Sequence, residues 1–265
     1  MKIPSTTECI LDLENSWLTI WFNRPEKRNS LSKILIREIS QTIDFIEDTP
    51  SIRGVIFRGK GNVFCAGADL KWLQSITSEK NKTHDKAMKM SMELGEIFTK
   101  ISNLSKVTIS VVEGACMAGA VGIVSATDFL VSTSDAKYAL TETKIGLTPA
   151  QIAPYILKKV GFNTGKKLML LGEGFSGDEA FLMGMADYVV KDKKDLDSEV
   201  FQIMNNVKKC SPNGIAVTKN LLNSNYNINT TYAAKLFSDC IVHQEGREGF
   251  TSFFEKRKPF WNKKD

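Results

Sequence analysis

The sequence predicts an α/β chain of repeated β-β-α units that is followed by a helical C-terminal region. Before about residue 193, a short apolar strand, a glycine-bearing turn and a helix recur several times. Beyond that point, three helical patterns follow one another and no strand pattern appears in the sequence. We therefore expect a core at 1–192 and a helical region at 193–265, which together form one functional unit.

The first third of the chain reads as strand, strand, helix, strand. Residues 9–13 and 18–22 are apolar or alternating, and the turn-like residues between them predict a hairpin. Ser30 stands where it would cap a helix of about 18 residues, whose apolar side chains recur at helical spacing. A short buried strand is expected at 54–57.

The middle of the chain repeats the order of strand, turn and helix. It predicts a polar loop or exposed helix start at 77–84 and a helix at 87–101. A buried strand at 107–112, a stretch of small residues at 115–127 and a further strand at 128–132 are expected to follow. The helical patterns of the C-terminal region span 195–208, 213–222 and 230–256.

Composition excludes several classes of protein. The 265 residues are 42% hydrophobic and 25% charged, which is ordinary globular usage and unlike a disordered or fibrous chain. No stretch approaches the roughly 18–20 apolar residues of a membrane span, and residues 1–15 lack the apolar segment of a signal peptide. Five cysteines without a CxxC pair predict reduced thiols, no disulfide framework and no metal site. We expect a cytoplasmic protein without a membrane partner.

Net charge is only mildly basic. The chain carries 35 basic and 30 acidic residues, a formal charge of +5. This excess fits a small anionic ligand, and it equally fits an ordinary protein surface.

Two glycine-bearing turns are candidates for a functional site. Residues 64–70 and 114–122 are rich in small side chains, which let another molecule approach the backbone closely. Two such turns could aim two N–H groups at one carbonyl oxygen and form an oxyanion hole. The alternative is tight packing between helix and strand, which requires the same small residues. Neither turn matches a nucleotide-phosphate loop.

Glu142 is the candidate acid or base. It lies just beyond a predicted strand among apolar and small residues, where burial should raise the pKa of its carboxyl group. The alternative is an ion pair with Lys144 or another basic residue. Only two histidines, His84 and His243, are present, and neither belongs to a Ser or Cys motif, so a Ser-His or Cys-His nucleophile is disfavoured.

In their order along the chain, these residues resemble the enoyl-CoA hydratase/isomerase family, also called the crotonase family. The resemblance covers nearly the whole chain and is carried by Asn23-Arg24-Pro25, 64–70, Gly114 with Ala118-Gly119, Asp128, Glu142 with Gly146, 172–187 and the Phe253–Arg257 stretch. It implies a crotonase-like spiral with a helical C-terminal trimerisation region, and a homotrimer or a dimer of trimers. It also implies an acyl-CoA thioester substrate, with coenzyme A as part of that substrate and no separate cofactor.

The resemblance also implies roles for individual residues. The N–H groups of Ala68 and Gly119 would form the oxyanion hole, and Glu142 would be the acid and base. The residues that would line the coenzyme A channel are Lys27, Arg28, Ser30, Ala66, Asp69, Leu70 and Lys71. Lys256 would reach the coenzyme A of a neighbouring subunit, and part of 72–90 would form a wall of the acyl pocket.

One departure from the family matters most for the reaction. Hydratases of this family usually carry two glutamates, and the position of the first is occupied here by Gly122. Thr141 and the run 148–154 also depart from the family pattern. The pattern 118–123, with Thr141-Glu142 and 152–155, resembles the branch of methylglutaconyl-CoA and isohexenylglutaconyl-CoA hydratases. We expect an enoyl-CoA hydratase with a single glutamate.

Three alternatives stay open. A Δ3,Δ2-enoyl-CoA isomerase needs one base and no water, and a CoA-ester decarboxylase needs little beyond the oxyanion hole. The third is a non-catalytic binder of acyl-CoA or a polyanion on the same fold. The basic residues 256–258 and 263–264 would suit a polyanion, but no nucleic-acid motif accompanies them and a solvated tail is the simpler interpretation, so no nucleic-acid partner is expected.

Overall fold

The first two strands form the hairpin that the sequence predicts. The computed structural model describes residues 3–77, 83–224 and 228–262. Strand β1 is Cys9–Glu14 and strand β2 is Trp17–Phe22, and they pair antiparallel with Glu14 opposite Trp17. The two turn residues, Asn15 and Ser16, have φ angles of 50° and 65°. This left-handed pair is what a two-residue type I′ turn requires.

The remaining strands divide between two sheets. They are β3 (Gly54–Gly59), β4 (Val107–Val112), β5 (Ala115–Met117), β6 (Phe129–Thr133), β7 (Lys137–Ala139), β8 (Gly174–Ser176) and β9 (Tyr188–Val190). The large sheet has the order β1-β2-β3-β4-β6-β9, in which β1 pairs antiparallel and the other pairings are parallel. The small sheet has the order β5-β7-β8. The successive strands β4 and β5, and then β6 and β7, each supply one strand to each sheet before a helical segment follows, which is the predicted β-β-α unit.

Ten α-helices complete the described chain. They are α1 (Lys33–Glu47), α2 (Leu70–Thr77), α3 (Thr83–Asn103), α4 (Gly119–Ala126), α5 (Ala153–Leu171), α6 (Gly177–Leu182), α7 (Leu196–Lys209), α8 (Pro212–Asn223), α9 (Thr230–Val242) and α10 (Gln244–Phe254). Short 3-10 turns occur at Pro25–Lys27, Glu142–Ile145, Lys193–Asp195 and Phe260–Asn262. None of these helices combines the length and the apolar composition that a bilayer crossing requires.

The large sheet is covered by apolar side chains on both faces. One face packs against a cluster that includes residues of α1, α3, α4 and α5. On the other face, Ile109 and Val131 pack with Leu196, Val200 and Ile203 of α7. Helix α7 begins the predicted helical region, yet it covers the sheet of the core. The division of the chain at 192 and 193 stays a prediction.

The start of α1 differs from the sequence prediction. Ser32, not Ser30, caps the helix, because its Oγ accepts the N–H of Leu35 at 3.0 Å. Leu31 lies outside the helix: its N–H donates to the carbonyl of Gly67 and its own carbonyl accepts from Asp69. The chain therefore stays extended until residue 32, because backbone bonds to a distant turn hold it there.

The last predicted helix is two helices. His243 has extended backbone angles of φ −64° and ψ 150°, which end α9, and its Nδ1 accepts the N–H of Glu245 at the start of α10. The predicted polar segment 77–84 lies partly outside the described residues, which resume at α3.

Candidate active site

Three turns meet at one edge of the small sheet. Cys65 forms a parallel bridge to Cys116, and β5 pairs parallel with β7. These three stretches lie side by side and run in the same direction, so the turns that follow them emerge at the same edge. Ala68, Gly119 and Glu142 each follow within three residues. The fold therefore brings the three predicted catalytic residues to one place.

The first two turns are in direct contact. The N–H of Cys65 donates to Ala115 and the N–H of Met117 donates to Cys65, both at 3.0 Å. Gly67 has a φ of 90°, and a Cβ there would lie 3.0 Å from the carbonyl oxygen of Met117 and 3.2 Å from the Cβ of Ala118. Glycine is thus required both by its backbone angle and by the close approach.

The N–H of Ala68 is available to a ligand. Leu31 binds both neighbours of Ala68: its N–H donates to Gly67 at 2.8 Å and its carbonyl accepts from Asp69 at 3.1 Å. Successive N–H groups of an extended backbone point to opposite sides, so that of Ala68 points away from Leu31. It donates no hydrogen bond within the described part of the chain.

The N–H of Gly119 is available for a different reason. It is the first N–H of α4 and has no acceptor within the helix. The carbonyl of Ala118 accepts the N–H of Val121 at 2.8 Å. Because C=O and N–H point in opposite directions across a trans peptide, the N–H of Gly119 points out of the helical turn. Over residues 3–77, 83–224 and 228–262 it has no hydrogen-bond acceptor.

Glu142 presents a carboxyl oxygen without a hydrogen-bond partner. It begins the 3-10 turn that follows β7, and its Oε2 is buried without a hydrogen-bond partner among the described residues. Burial raises the pKa of this carboxyl group, and a hydrogen bond from its own backbone N–H opposes the shift in part. The side chain therefore holds a proton more readily than an exposed glutamate, which suits a group that takes and returns one.

The alternative interpretation of Glu142 as an ion-paired residue finds no support. No ion pair joins it to Lys144 or another cation in the described residues. The side chain of Lys144 instead lies over Gly172, where a Cβ would be 3.1 Å from its Cε. Buried cysteines offer no competing nucleophile here, because burial raises the pKa of Cys65 to about 12 and that of Cys116 well above its usual value.

The position of the missing glutamate is filled. A Cβ at Gly122 would lie 2.2 Å from the Cγ2 of Ile152 and 2.9 Å from the Cζ of Phe98. Both side chains are almost completely buried. The sequence showed that the carboxylate is absent, but not that apolar side chains occupy its place. The only sequence signal toward Ile152 was its presence in the atypical run 148–154.

Part of the predicted coenzyme A channel borders the first turn. Lys27 and Arg28 are exposed at the 3-10 turn Pro25–Lys27, and the carbonyl of Arg28 accepts the N–H of Ala66 at 2.9 Å. Leu70 and Lys71 are exposed at the start of α2. Three exposed cationic side chains are thus carried by the segments that border the 65–68 turn.

Asp69 and Ser30 are engaged within the chain. Asp69 accepts from Arg24 and from the N–H of Lys71, both at 3.0 Å. Burial raises the pKa of Asp69, but these hydrogen bonds outweigh it and the net pKa is lowered. The Oγ of Ser30 lies 3.3 Å from Arg24. These two side chains hold the loop in shape.

Of two further predicted elements, Lys256 makes no hydrogen bond or ion pair to the site within the described residues, whereas the start of 72–90 is bonded to Asp69, which accepts the N–H of Trp72 at 3.4 Å and that of Leu73 at 3.1 Å. Lys256 is exposed after α10, and its backbone N–H donates to Phe253 at 3.2 Å. Its role toward a neighbouring subunit's coenzyme A stays a prediction. Of the expected acyl wall at 72–90, residues 78–82 lie outside the described residues, Trp72 packs on the core and Met90 is buried.

Comparison with known proteins gives a consistent result along the whole chain. The sequence profile of the enoyl-CoA hydratase/isomerase family matches residues 12–264. A solved enoyl-CoA hydratase/isomerase from Marinobacter aquaeolei is 32% identical, with a TM-score of 0.91 over 97% of this chain and 99% of that one. The human mitochondrial methylglutaconyl-CoA hydratase is 27% identical over 94% of this chain and 75% of its own length. A peroxisomal Δ(3,5)-Δ(2,4)-dienoyl-CoA isomerase from Arabidopsis thaliana is 26% identical over 98% of each chain.

Proposed function

The chain belongs to the enoyl-CoA hydratase/isomerase family, and from this premise we propose that it adds water across the 2,3 double bond of a 2-enoyl-CoA thioester. One observation carries the proposal. Glu142, with one unpaired carboxyl oxygen, and the outward N–H groups of Ala68 and Gly119 follow three adjacent, parallel stretches: the bridge at Cys65 and strands β5 and β7. A thioester carbonyl held by the two N–H groups would place its double bond near one acid.

The two N–H groups stabilise the charge that develops during addition. Attack of water at C3 moves electrons through the double bond onto the thioester oxygen and forms an enolate. Backbone donors that are fixed before the reaction stabilise that charge without reorganisation, and loss of one such donor typically costs about 2.7–4 kcal/mol of barrier. The contact between the turns of Ala68 and Gly119, through Gly67, keeps the donors rigid.

Glu142 serves as both base and acid. Its carboxylate accepts one proton from the attacking water, whose oxygen bonds to C3. The resulting carboxylic acid then gives a proton to C2 of the enolate, and the carbonyl is restored. A raised pKa favours the first step, because the carboxylate is then a stronger base and takes the proton of water more readily.

Coenzyme A binds along the exposed surface beside the first turn in this proposal. Lys27, Arg28 and Lys71 are exposed cations that suit its phosphates. Ala66 and Leu70 border the same path, while Asp69 and Ser30 shape the loop. Lys256 would complete the site from a neighbouring subunit.

A homotrimer, alone or as a dimer of trimers, is part of the same proposal. Helices α9 and α10 expose large apolar side chains, including Phe237, Phe253 and Phe254 with exposed fractions of 68%, 77% and 76%. Such a surface is unusual for an isolated chain and fits subunit contacts.

An isomerase is the second candidate, and the closure at Gly122 favours it specifically. With Ile152 and Phe98 in place of a second acid, Glu142 alone would take a proton from C2 of a 3-enoyl thioester and return it to C4, which moves the double bond to C2=C3. That reaction uses the same oxyanion hole and consumes no water.

Substrate assays separate the two candidates. Crotonyl-CoA and a methylglutaconyl-CoA are tested for loss of the enoyl absorbance in water enriched in oxygen-18. We expect turnover with the heavy isotope in the product. Reaction of 3-enoyl substrates alone, without isotope uptake, would establish the isomerase. Binding of acyl-CoA without turnover of any substrate would indicate that the protein is a non-catalytic binder of acyl-CoA.

A Glu142→Gln variant tests the role of the carboxyl group. We expect it to lose turnover and keep acyl-CoA binding. Because the pKa of Glu142 is raised in the folded protein, its ionised form destabilises the fold at pH above that value, and glutamine removes this penalty. The variant should therefore be more stable than the wild type at neutral pH. Glu14→Gln, an exposed carboxyl in the hairpin, is the matched control and should change neither property. Near-normal turnover of Glu142→Gln contradicts the mechanism.

A further inference from the structure

Ala118 has a backbone conformation that an alanine rarely adopts. Its angles are φ 50° and ψ −121°. A positive φ crowds the Cβ of an L-residue against the backbone, and glycine is the residue that tolerates it. Its ψ also differs by about 170° from the usual left-handed value of about +47°. The plane of the peptide between Ala118 and Gly119 is therefore flipped relative to the peptide that follows an ordinary left-handed residue.

Both sides of Ala118 are held by hydrogen bonds. Its N–H donates to the carbonyl of Ala139 in β7 at 2.8 Å, and its carbonyl accepts from Val121 in α4 at 2.8 Å. Its Cβ lies beside Gly67, in the turn that carries Ala68. Ala118 thus contacts each of the three segments that supply a residue to the site.

We propose that Ala118 is a positioning residue, whose strained backbone fixes the direction of the Gly119 N–H toward the acyl oxygen. This inference rests on the proposed function. The N–H of Gly119 and the carbonyl of Ala118 belong to one peptide plane, so the angle ψ of Ala118 sets the direction of the donor. The Cβ of Ala118 narrows the range of that angle and abuts the neighbouring turn, whereas a hydrogen there would do neither.

The inference predicts opposite effects of Ala118→Gly on stability and on catalysis. Glycine adopts the observed angles without strain, so the folded state should become more stable. Glycine also allows the peptide to rotate, so the donor should spend less time in the productive direction. A hydrogen bond that is needed mainly in the transition state affects kcat rather than KM.

Ser16→Gly is the matched control. Ser16 also has a positive φ, of 65°, but it lies in the hairpin turn between β1 and β2. Relief of strain should raise the melting temperature of both variants by roughly 2–4 °C, because a modest gain in the free energy of unfolding shifts the melting temperature of a chain of this size by about that much. Ala118→Gly should lose about 10-fold in kcat with KM changed less than about 2-fold. Ser16→Gly should keep both kinetic constants.

A spectroscopic measurement separates positioning from a general structural effect. In a Glu142→Gln background, bound enoyl-CoA is not consumed, and its thioester carbonyl stretch reports the hydrogen bonds from Ala68 and Gly119. Hydrogen bonding lowers the frequency of this stretch. We expect the lowering to be smaller and the band to be broader when Ala118→Gly is added, and neither to change when Ser16→Gly is added.

The outcomes distinguish this inference from the proposed function. A wild type that turns over no enoyl-CoA refutes the proposed function and the positioning role with it. A wild type that turns over, together with an Ala118→Gly variant of unchanged kcat and carbonyl band, refutes the inference alone. A lower melting temperature of Ala118→Gly would show that the alanine is not strained, and would also overturn it.

Discussion

The closed position at Gly122 yields a quantitative prediction for the variant Gly122→Ala. The new methyl group would lie 2.2 Å from the Cγ2 of Ile152, whereas ordinary contacts are 3.4–4 Å, so Ile152 must move by about 1.2 Å or more. Overpacking of a well-packed core costs about 1–3 kcal/mol. The better helix propensity of alanine in α4 returns about 0.8–1 kcal/mol. We expect a net loss of up to about 2 kcal/mol in the free energy of unfolding.

Denaturant unfolding followed by tryptophan fluorescence measures this loss, at one fixed protein concentration because association contributes to stability. Gly249→Ala in α10 is the matched control: its new methyl group would meet only the ring of Trp261, at 3.5 Å. That variant should gain up to about 1 kcal/mol. In an Ile152→Ala background, the loss caused by Gly122→Ala should become smaller, since the nearest obstructing methyl group is gone and only the ring of Phe98, 2.9 Å from the new Cβ, must still move.

The result that refutes this reasoning is a Gly122→Ala variant as stable as Gly249→Ala. It would mean that Ile152 and Phe98 leave room at this position. A second glutamate could then be introduced by substitution, and the restriction to one carboxyl group would be a matter of sequence rather than of packing.

Two further predictions concern pH. In a pH profile of kcat/KM, the rate should fall on the acid side as Glu142 becomes protonated. Because burial raises the pKa of Glu142, this fall should occur at a higher pH than that at which an exposed glutamate titrates. A fall at or below the ordinary glutamate range contradicts the assignment of Glu142 as the base. Burial by itself would raise the pKa of Glu38, but the hydroxyl and N–H of Thr7 and the N–H groups of Glu8 and Cys9 donate to its carboxylate, and these hydrogen bonds outweigh burial and lower the pKa. Its ionised form therefore stabilises the fold above the pKa of the unfolded chain, and this contribution is lost as pH falls through the lowered value. Glu38→Gln should be less stable than the wild type by about 2–3 kcal/mol at pH 7, with a difference that narrows in acid; an equal difference at all pH values would exclude this role.

Local patterns sufficed for much of the fold. Strand β4 was predicted at its observed bounds, and the hairpin was placed within one residue, because alternation, apolar runs and turn residues act over a few positions. The start of α1 was wrong, since bonds from Leu31 to Gly67 and Asp69 hold the chain extended past the predicted cap. Those partners are more than thirty residues away, beyond the reach of any local signal.

The candidate site divides in the same way. The types of the candidate residues follow from the sequence alone: small residues in the turns at Ala68 and Gly119, a glutamate at 142 and none at 122. Packing between distant segments leaves Glu142 with a carboxyl oxygen that has no partner in the described chain, and it fills the space beside Gly122 with Ile152 and Phe98. The type of a side chain is written in the sequence, but its neighbours depend on how distant segments pack, and pKa, available space and donor direction follow from those neighbours.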